Sequence, residues 1–298
     1  MNKIFYMKVL LAGIAKLEND YIREWCEYHL KLGFDKIILG DNNDSNGESL
    51  VDPIKDFVYH NFVDVLDCRN PEITQVLLYQ YIYDNFAKDY DWIMFLDIDE
   101  FLFLEKDNNV HDYLNRQEFN NFNSIKIHWK IMGDSNQLIN TGLPVLERLT
   151  EEGKNPPMVW KKDPNRKITM NCFVKSFVRP NIPNTMWDTA PQLIPKDFND
   201  ITLKICDNKG SELDIKYIDD TCIDEIDYTL AHIKHFRTKT IEEYISKKCQ
   251  KGWPIVNCNN KEFIESYLNM NFFFDINEKT PEKIELANQL MEKYNIKL

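Results

Sequence analysis

Short apolar runs separated by stretches of helical period make up the first hundred residues. Val9-Leu10-Leu11-Ala12, Lys36-Ile37-Ile38-Leu39, Val63-Asp64-Val65-Leu66 and Trp92 to Leu96 have the length and composition of buried strands. Between them Tyr21, Trp25, Tyr28 and Leu32, and then Ile73, Leu77 and Tyr81, recur three and four apart, the spacing of one helix face. Strands alternating with helices predict an α/β fold with a mainly parallel sheet and right-handed crossovers. Further on, Ser124-Ile125-Lys126-Ile127-His128-Trp129 alternates polar and apolar, as an antiparallel or edge strand does. Residues 150–164, rich in Lys, Glu, Pro and Gly, predict a mobile surface loop of the lid type. Strands are expected near 172–178, 201–205 and 215–218, and helices over 241–248, 261–269 and 281–294.

The fourth apolar run ends abruptly in acid: Asp97, Asp99 and Glu100, with only Ile98 between the two aspartates. Side chains two apart on an extended backbone share a face, so Asp97 and Asp99 are expected to point together at one ligand. Adjacent carboxylates in a poorly hydrated site stay ionised when a cation lies between them, and oxygen ligands suit Mg2+ or Mn2+. The duller alternative is a strand end dressed with solvated acids.

Composition narrows the function classes. The net charge of -12 over 298 residues argues against a nucleic-acid binder, which needs clustered Lys and Arg. Neither G-x-G-x-x-G nor G-x-x-x-x-G-K-[ST] occurs, so glycine-cradle nucleotide sites lose their support. The seven cysteines are scattered, form no C-x-x-C pair and read as reduced thiols of a cytoplasmic protein. The apolar run from Val9 to Ile14, bracketed by Lys8 and Lys16, is too short for a signal peptide or a spanning helix.

Several blocks, in order, carry a resemblance. Lys16-Leu17-Glu18-Asn19-Asp20-Tyr21-Ile22-Arg23-Glu24-Trp25-Cys26-Glu27-Tyr28-His29 followed by Gly33 is similar to the opening K-N-E-x-x-[YL]-[IL]-x-E-W-x-x-[YH]-H-x-x-x-G block of bacterial glycosyltransferases related to families 2 and 92, departing at Leu17, where Asn is usual. Asp41-Asn42-Asn43-Asp44-Ser45 resembles their D-N-x-S-x-D turn with altered spacing. Gln75, Tyr79, Trp92 and Phe95-Leu96-Asp97-Ile98-Asp99-Glu100-Phe101-Leu102 match Q-x-x-x-Y followed by W-x-x-[FL]-[LI]-D-[IVL]-D-E-F-[LI]. Trp129 to Gly133 resembles W-x-x-F-G with Met132 for Phe, and Lys175 to Pro180 resembles K-x-[IF]-V-R-P. His235 to Tyr244, with Lys247 or Lys248 and Gly252, resembles H-Y-x-x-K-S-x-E-[ED]-[FY] and its trailing Lys and Gly.

The resemblance implies a GT-A fold over residues 1–253, with a nucleotide-sugar half (1–105), an acceptor half (106–253) and a C-terminal helical extension (254–298). It implies a metal-dependent, inverting transfer of a sugar from a nucleotide sugar, UDP-linked by preference, to a hydroxyl of a glycan or lipid-linked acceptor of surface polysaccharide. Mn2+ or Mg2+ would sit directly on Asp99 and on His235, with His232 as competitor, while Asp97 would reach the ion through water or contact the ribose. Lys16, Glu18 and Asp41 would meet the nucleoside side of the donor, Gln75 would contact the nucleotide or hold the turn after Asp41, and Lys175, Arg179 and Lys239 would meet its diphosphate. Trp129 and Trp187 would stack on sugar, and Asp134 or Asp188 would take the acceptor proton. The expected location is cytoplasmic, with peripheral contact at the inner membrane face through Lys161 to Lys167 and Lys234 to Lys251. Two rivals are a catalytically silent sugar-binding or scaffold protein on the same frame and a D-x-D phosphohydrolase. The second wants Thr or Val where Phe101 stands.

Overall fold

The structure, a computed structural model, describes residues 7–69, 73–160, 163–180, 182, 185–187, 193–195, 203–213, 222–248 and 270–294. It forms two compact units: residues 1–129 with 172–233, and residues 130–171 with 234–298. This division is not the linear one expected. The chain leaves the first unit after Trp129 and returns at Cys172, and the C-terminal helices belong with 130–171 instead of forming a separate extension.

The first unit is built on parallel strands. β1 (Val9–Ala15) lies between β2 (Lys36–Asp41) and β4 (Trp92–Phe95), parallel to both, and β3 (Val63–Asp67) continues the parallel order beyond β2. Leu10, Ile38, Ile93 and Phe95 pack on Leu78 and Ile82 of the helix Gln75–Asn85. That helix begins at Thr74, whose side chain accepts from the Leu77 N–H. The helix Ile22–Lys31 stops where Gly33 adopts a φ of 103°, a left-handed end that glycine enters without steric cost.

Beyond β4 the sheet turns antiparallel. After β5 (Glu100–Leu104), β6 (Ser124–Ile131), the β7–β8 hairpin (Met158–Trp160, Asp163–Ile168), β9 (Val174–Val178), β10 (Thr185–Trp187), β11 (Leu193–Pro195), β12 (Ile205–Cys206), β13 (Glu212–Leu213) and β14 (Ala231–His235), the order in the ten-stranded sheet is β13-β12-β6-β9-β4-β1-β2-β3, with β14 pairing β5 and β6. β6 is antiparallel to β9 as its alternation predicted, but it is interior, and its polar positions Ser124, Lys126 and His128 are buried. The stretch expected as a lid ends in the β7–β8 hairpin.

In the second unit, Met270–Ile276 and Pro281–Lys293 are helical. The helix expected over 261–269 and the strand over 215–218 lie outside the described residues. The segment 241–248 starts at a capping box between Thr240 and Glu243 and runs on as a π-helix from Tyr244 to Lys248. Cys172 and Cys222 form a disulfide, which corrects the expectation of reduced thiols throughout; Cys26, Cys68 and Cys206 are free and buried.

Candidate active site

In an open parallel sheet, ligands bind beyond the carboxyl ends of the strands where the strand order reverses, and here that point lies between β1 and β4. The acid-bearing segment sits there, although not as an extended strand. β4 ends at Phe95, and Asp97 to Glu100 form a turn closed by the Glu100 N–H donating to the Asp97 carbonyl at 3.0 Å. The turn is pressed close to β1: a Cβ added to Gly13 would lie 2.7 Å from the Leu96 carbonyl oxygen.

Asp97 and Asp99 are half-buried, while Glu100 points inward with no exposure. The Asp97 carboxylate is held from two sides, with Gln75 Nε2 on Oδ1 at 3.2 Å and Lys175 Nζ on Oδ2 at 2.9 Å. Lys175 also lies 3.3 Å from Glu100 Oε2. One lysine faces two carboxylates. Burial, reinforced by the charges of Asp97 and Asp99 and opposed by Lys175, pushes the Glu100 carboxyl up to about 8. Burial works against the Lys175 ammonium as well, but the two carboxylates outweigh it and hold its pKa above the usual value.

The opening motif braces this turn from behind. The Trp25 indole donates to the Glu100 carbonyl at 2.9 Å, and the Tyr28 hydroxyl donates to the Leu102 carbonyl at 2.7 Å. His29, fully buried, contacts the Trp25 carbonyl through Nδ1 and the Leu102 N–H through Nε2.

On the β2 side, Asp41 accepts from the Asn43 N–H, Asn43 Nδ2, the Leu50 N–H and Arg69 Nη2, the last at 2.7 Å. Burial opposes its ionisation, yet these bonds prevail and keep the carboxyl below the usual range. Asp41 thereby folds the 42–50 loop onto the strand end. Arg69 also reaches the Glu48 carbonyl, and sequence reasoning missed it, although it stands just past the third apolar run. Glu18 is buried, with its carbonyl receiving the Tyr21 and Ile22 N–H groups. Lys16 pairs with exposed Asp44 at 2.9 Å.

Other expected residues lie elsewhere. Arg179 follows β9 on the side where β4 begins: its guanidinium stacks 4.1 Å from the Trp92 ring and Nε donates to the Phe122 carbonyl. That is the end of β4 opposite the acid turn, so Arg179 joins two motif blocks and does not stand beside Asp97 and Asp99. Trp129 packs near Phe173, with ring centroids 5.2 Å apart. His232 and His235 are on a strand, not one helical turn apart. Being three residues from each other, they face opposite sides. His232 stacks on Phe103 and places Nδ1 2.9 Å from Glu105. Asp188 lies outside the described residues, and of Trp187 only the strand backbone is described.

Within the second unit, His235 is buried and its carbonyl accepts the Met132 N–H. Asp134 is buried too, with Oδ2 2.6 Å from Lys283 Nζ and its N–H donating to Asn277 Oδ1. The contact with Lys283 is a close ion pair without the alignment of a hydrogen bond. The carboxylate that the sequence offered as one of two candidates for the acceptor proton is thus paired with a buried lysine. Lys239 has a φ of 52° and helps keep Glu243 ionised, alongside the buried Arg148 fork. Among the described residues, no group of three or more His, Cys, Asp or Glu side chains is arranged to hold a metal, and no helix is long and apolar enough to cross a membrane.

The sheet and the acid turn at its switch point define an α/β protein with paired aspartates at the carboxyl edge of its parallel strands. The chain belongs to glycosyltransferase family 92, whose profile matches residues 12–252. Among curated proteins none matches. Of solved structures, S. aureus TarS is similar at a TM-score of 0.41 and 10% identity, over 90% of this chain and 43% of that one. TarS 1-349 in complex with UDP-GlcNAc is similar at 0.39 and 10%, over 97% and 80%. Apo UDP-glucose pyrophosphorylase is similar at 0.30 and 7%, over 59% and 78%. The chain thus spans less than half the length of the TarS structure named first.

Proposed function

We propose that this protein transfers a sugar from a nucleotide sugar, UDP-linked by preference, to a hydroxyl of a glycan or lipid-linked acceptor, with inversion and with a divalent cation. The observation that carries the proposal is the acid turn of Asp97 and Asp99 at the β1–β4 switch point, inside the segment matched by the family. The carboxylates of Asp97 and Asp99 against one buried lysine leave that turn net negative, which suits Mn2+ or Mg2+. Asp99 would hold the ion, with Asp97 beside it and His235 as the further ligand expected from sequence; when bound, the ion offsets charge gathering on the leaving diphosphate.

The chain's own residues do the rest. The loop folded by Asp41 and Arg69 forms the nucleoside side, where Glu18 and Lys16 also stand. Lys239 serves the diphosphate and Trp129 the sugar face. Asp188 takes the acceptor proton in this reading, because Asp134 is tied to Lys283. The cytoplasmic location and peripheral membrane contact expected from sequence are carried into the proposal; the free thiols of Cys26, Cys68 and Cys206 fit that location and the Cys172–Cys222 bond does not.

The test is titration calorimetry of UDP with and without Mn2+. Wild type should bind UDP only with Mn2+, and Asp99→Ala should abolish that binding without moving the melting temperature. UDP affinity that ignores both Mn2+ and Asp99 would overturn the proposal, and hydrolysis of a UDP-sugar panel would separate an enzyme from a silent scaffold.

A further inference from the structure

We propose that Glu100 and Lys175 are positioning residues for nucleotide binding, fixing the Asp97 carboxylate and the turn that carries Asp99; the inference rests on the nucleotide-sugar reading above. Glu100 does not face the cleft with its two acidic neighbours. It folds back so that Oε2 accepts the Asp97 N–H at 2.9 Å, while its own carbonyl is held by Trp25. The acid therefore closes the turn from inside.

Lys175 arrives from the neighbouring strand. β9 runs antiparallel to β4 with Phe177 opposite Met94, so Lys175, two residues earlier, falls just past the end of β4. At 3% exposure, its ammonium meets Asp97 Oδ2 at 2.9 Å and Glu100 Oε2 at 3.3 Å. The ammonium donates a hydrogen bond to Asp97 and lies within ion-pair distance of Glu100. Gln75 supplies the third strut through Asp97 Oδ1 and is itself steadied by the Tyr79 hydroxyl at 2.8 Å. Lys175 thus acts on the donor through Asp97, not by touching phosphate.

A double-mutant cycle separates the two roles. In calorimetry of the full chain with UDP and Mn2+, Lys175→Met should lower affinity about tenfold or more in wild type but less than about threefold in an Asp97→Asn background. Equal losses in both backgrounds would mean that Lys175 meets the diphosphate itself and would overturn the proposal. If Lys175→Met does not fold, the Glu100→Gln/Lys175→Met pair removes the lysine together with the buried carboxyl it faces. It should melt near wild type yet keep the affinity loss, and wild-type affinity in that pair would also overturn the proposal.

A second readout needs no nucleotide. Amide exchange at Asp97 should accelerate at least about tenfold in Glu100→Ala and stay slow in Glu100→Gln, whose amide oxygen still accepts the bond. Unchanged exchange in Glu100→Ala would sink the positioning role. If wild type binds no UDP under any condition, the nucleotide-sugar reading fails, while the exchange experiment still reports on the turn.

Discussion

Lys283 Nζ lies 2.6 Å from Asp134 Oδ2, and neither side chain is more than 6% exposed. Removing one member of such a pair leaves a buried charge without a counter-ion. Lys283→Met should therefore destabilise the protein by about 3–5 kcal/mol in urea unfolding, and Asp134→Asn/Lys283→Met should recover most of the loss. Sugar transfer by that double variant should persist; its collapse with the fold intact would return Asp134 to the role of base.

Leu17 adopts a φ of 56°, a conformation that costs a branched side chain about 1 kcal/mol and that Asn tolerates. The departure from the family's usual Asn thus falls at a strained position. Leu17→Asn should stabilise the protein by about 0.5–1 kcal/mol, seen as a rise of a few degrees in Tm. A fall in Tm would mean that the leucine side chain contributes packing that outweighs its backbone strain.

Burial lowers the pKa of His29 from 6.5 to about 3, against the opposing pull of the Trp25 carbonyl. The unfolded chain binds this proton first as pH falls, so the stabilising neutral state is fully present above 6.5 and is lost on the way down to 3. The contribution to the slope approaches about 1.4 kcal/mol per pH unit within that window. Denaturation from pH 7 to pH 4 should show it in wild type, and His29→Gln should flatten it.

His235→Ala should weaken Mn2+-dependent UDP binding more than His232→Ala does, because His232 is occupied by Phe103 and Glu105. His232→Ala should instead cost stability, about 1 kcal/mol or more, in thermal unfolding. The reverse pattern would exchange the assignments of the two histidines.

Alkylation of the denatured, unreduced protein should modify Cys26, Cys68 and Cys206, with Cys172 and Cys222 recovered as a linked peptide pair. Modification of Cys172 and Cys222 as well would favour the reducing compartment that the sequence suggested.

β1, β2 and β4 were legible because each is buried on both faces and its apolar run has little else to be, whereas β3 is only partly covered. β6 was harder: Ser124, Lys126 and His128 look solvent-facing in sequence, yet the sheet covers them. The acid turn was found by its letters and misjudged in its shape, since extended alternation and a tight turn both set Asp97 and Asp99 two residues apart. Glu100 drew no attention of its own beside two aspartates, and nothing local to Arg69 or Lys175 announces partners 28 and 78 residues away. Such pairings are set by strand order, which periodicity does not encode.

Asp134 and Lys283 also impose an order in time. The aspartate is synthesised about 150 residues before the lysine that neutralises it, a lag on the order of ten seconds at ordinary ribosomal speed. During that interval the 130–171 segment has left the ribosome with its charge exposed and without the helix that will cover it. The second unit therefore closes after translation of its later half, and a chaperone that holds the nascent 130–171 segment would bear more on yield than one acting on the finished chain.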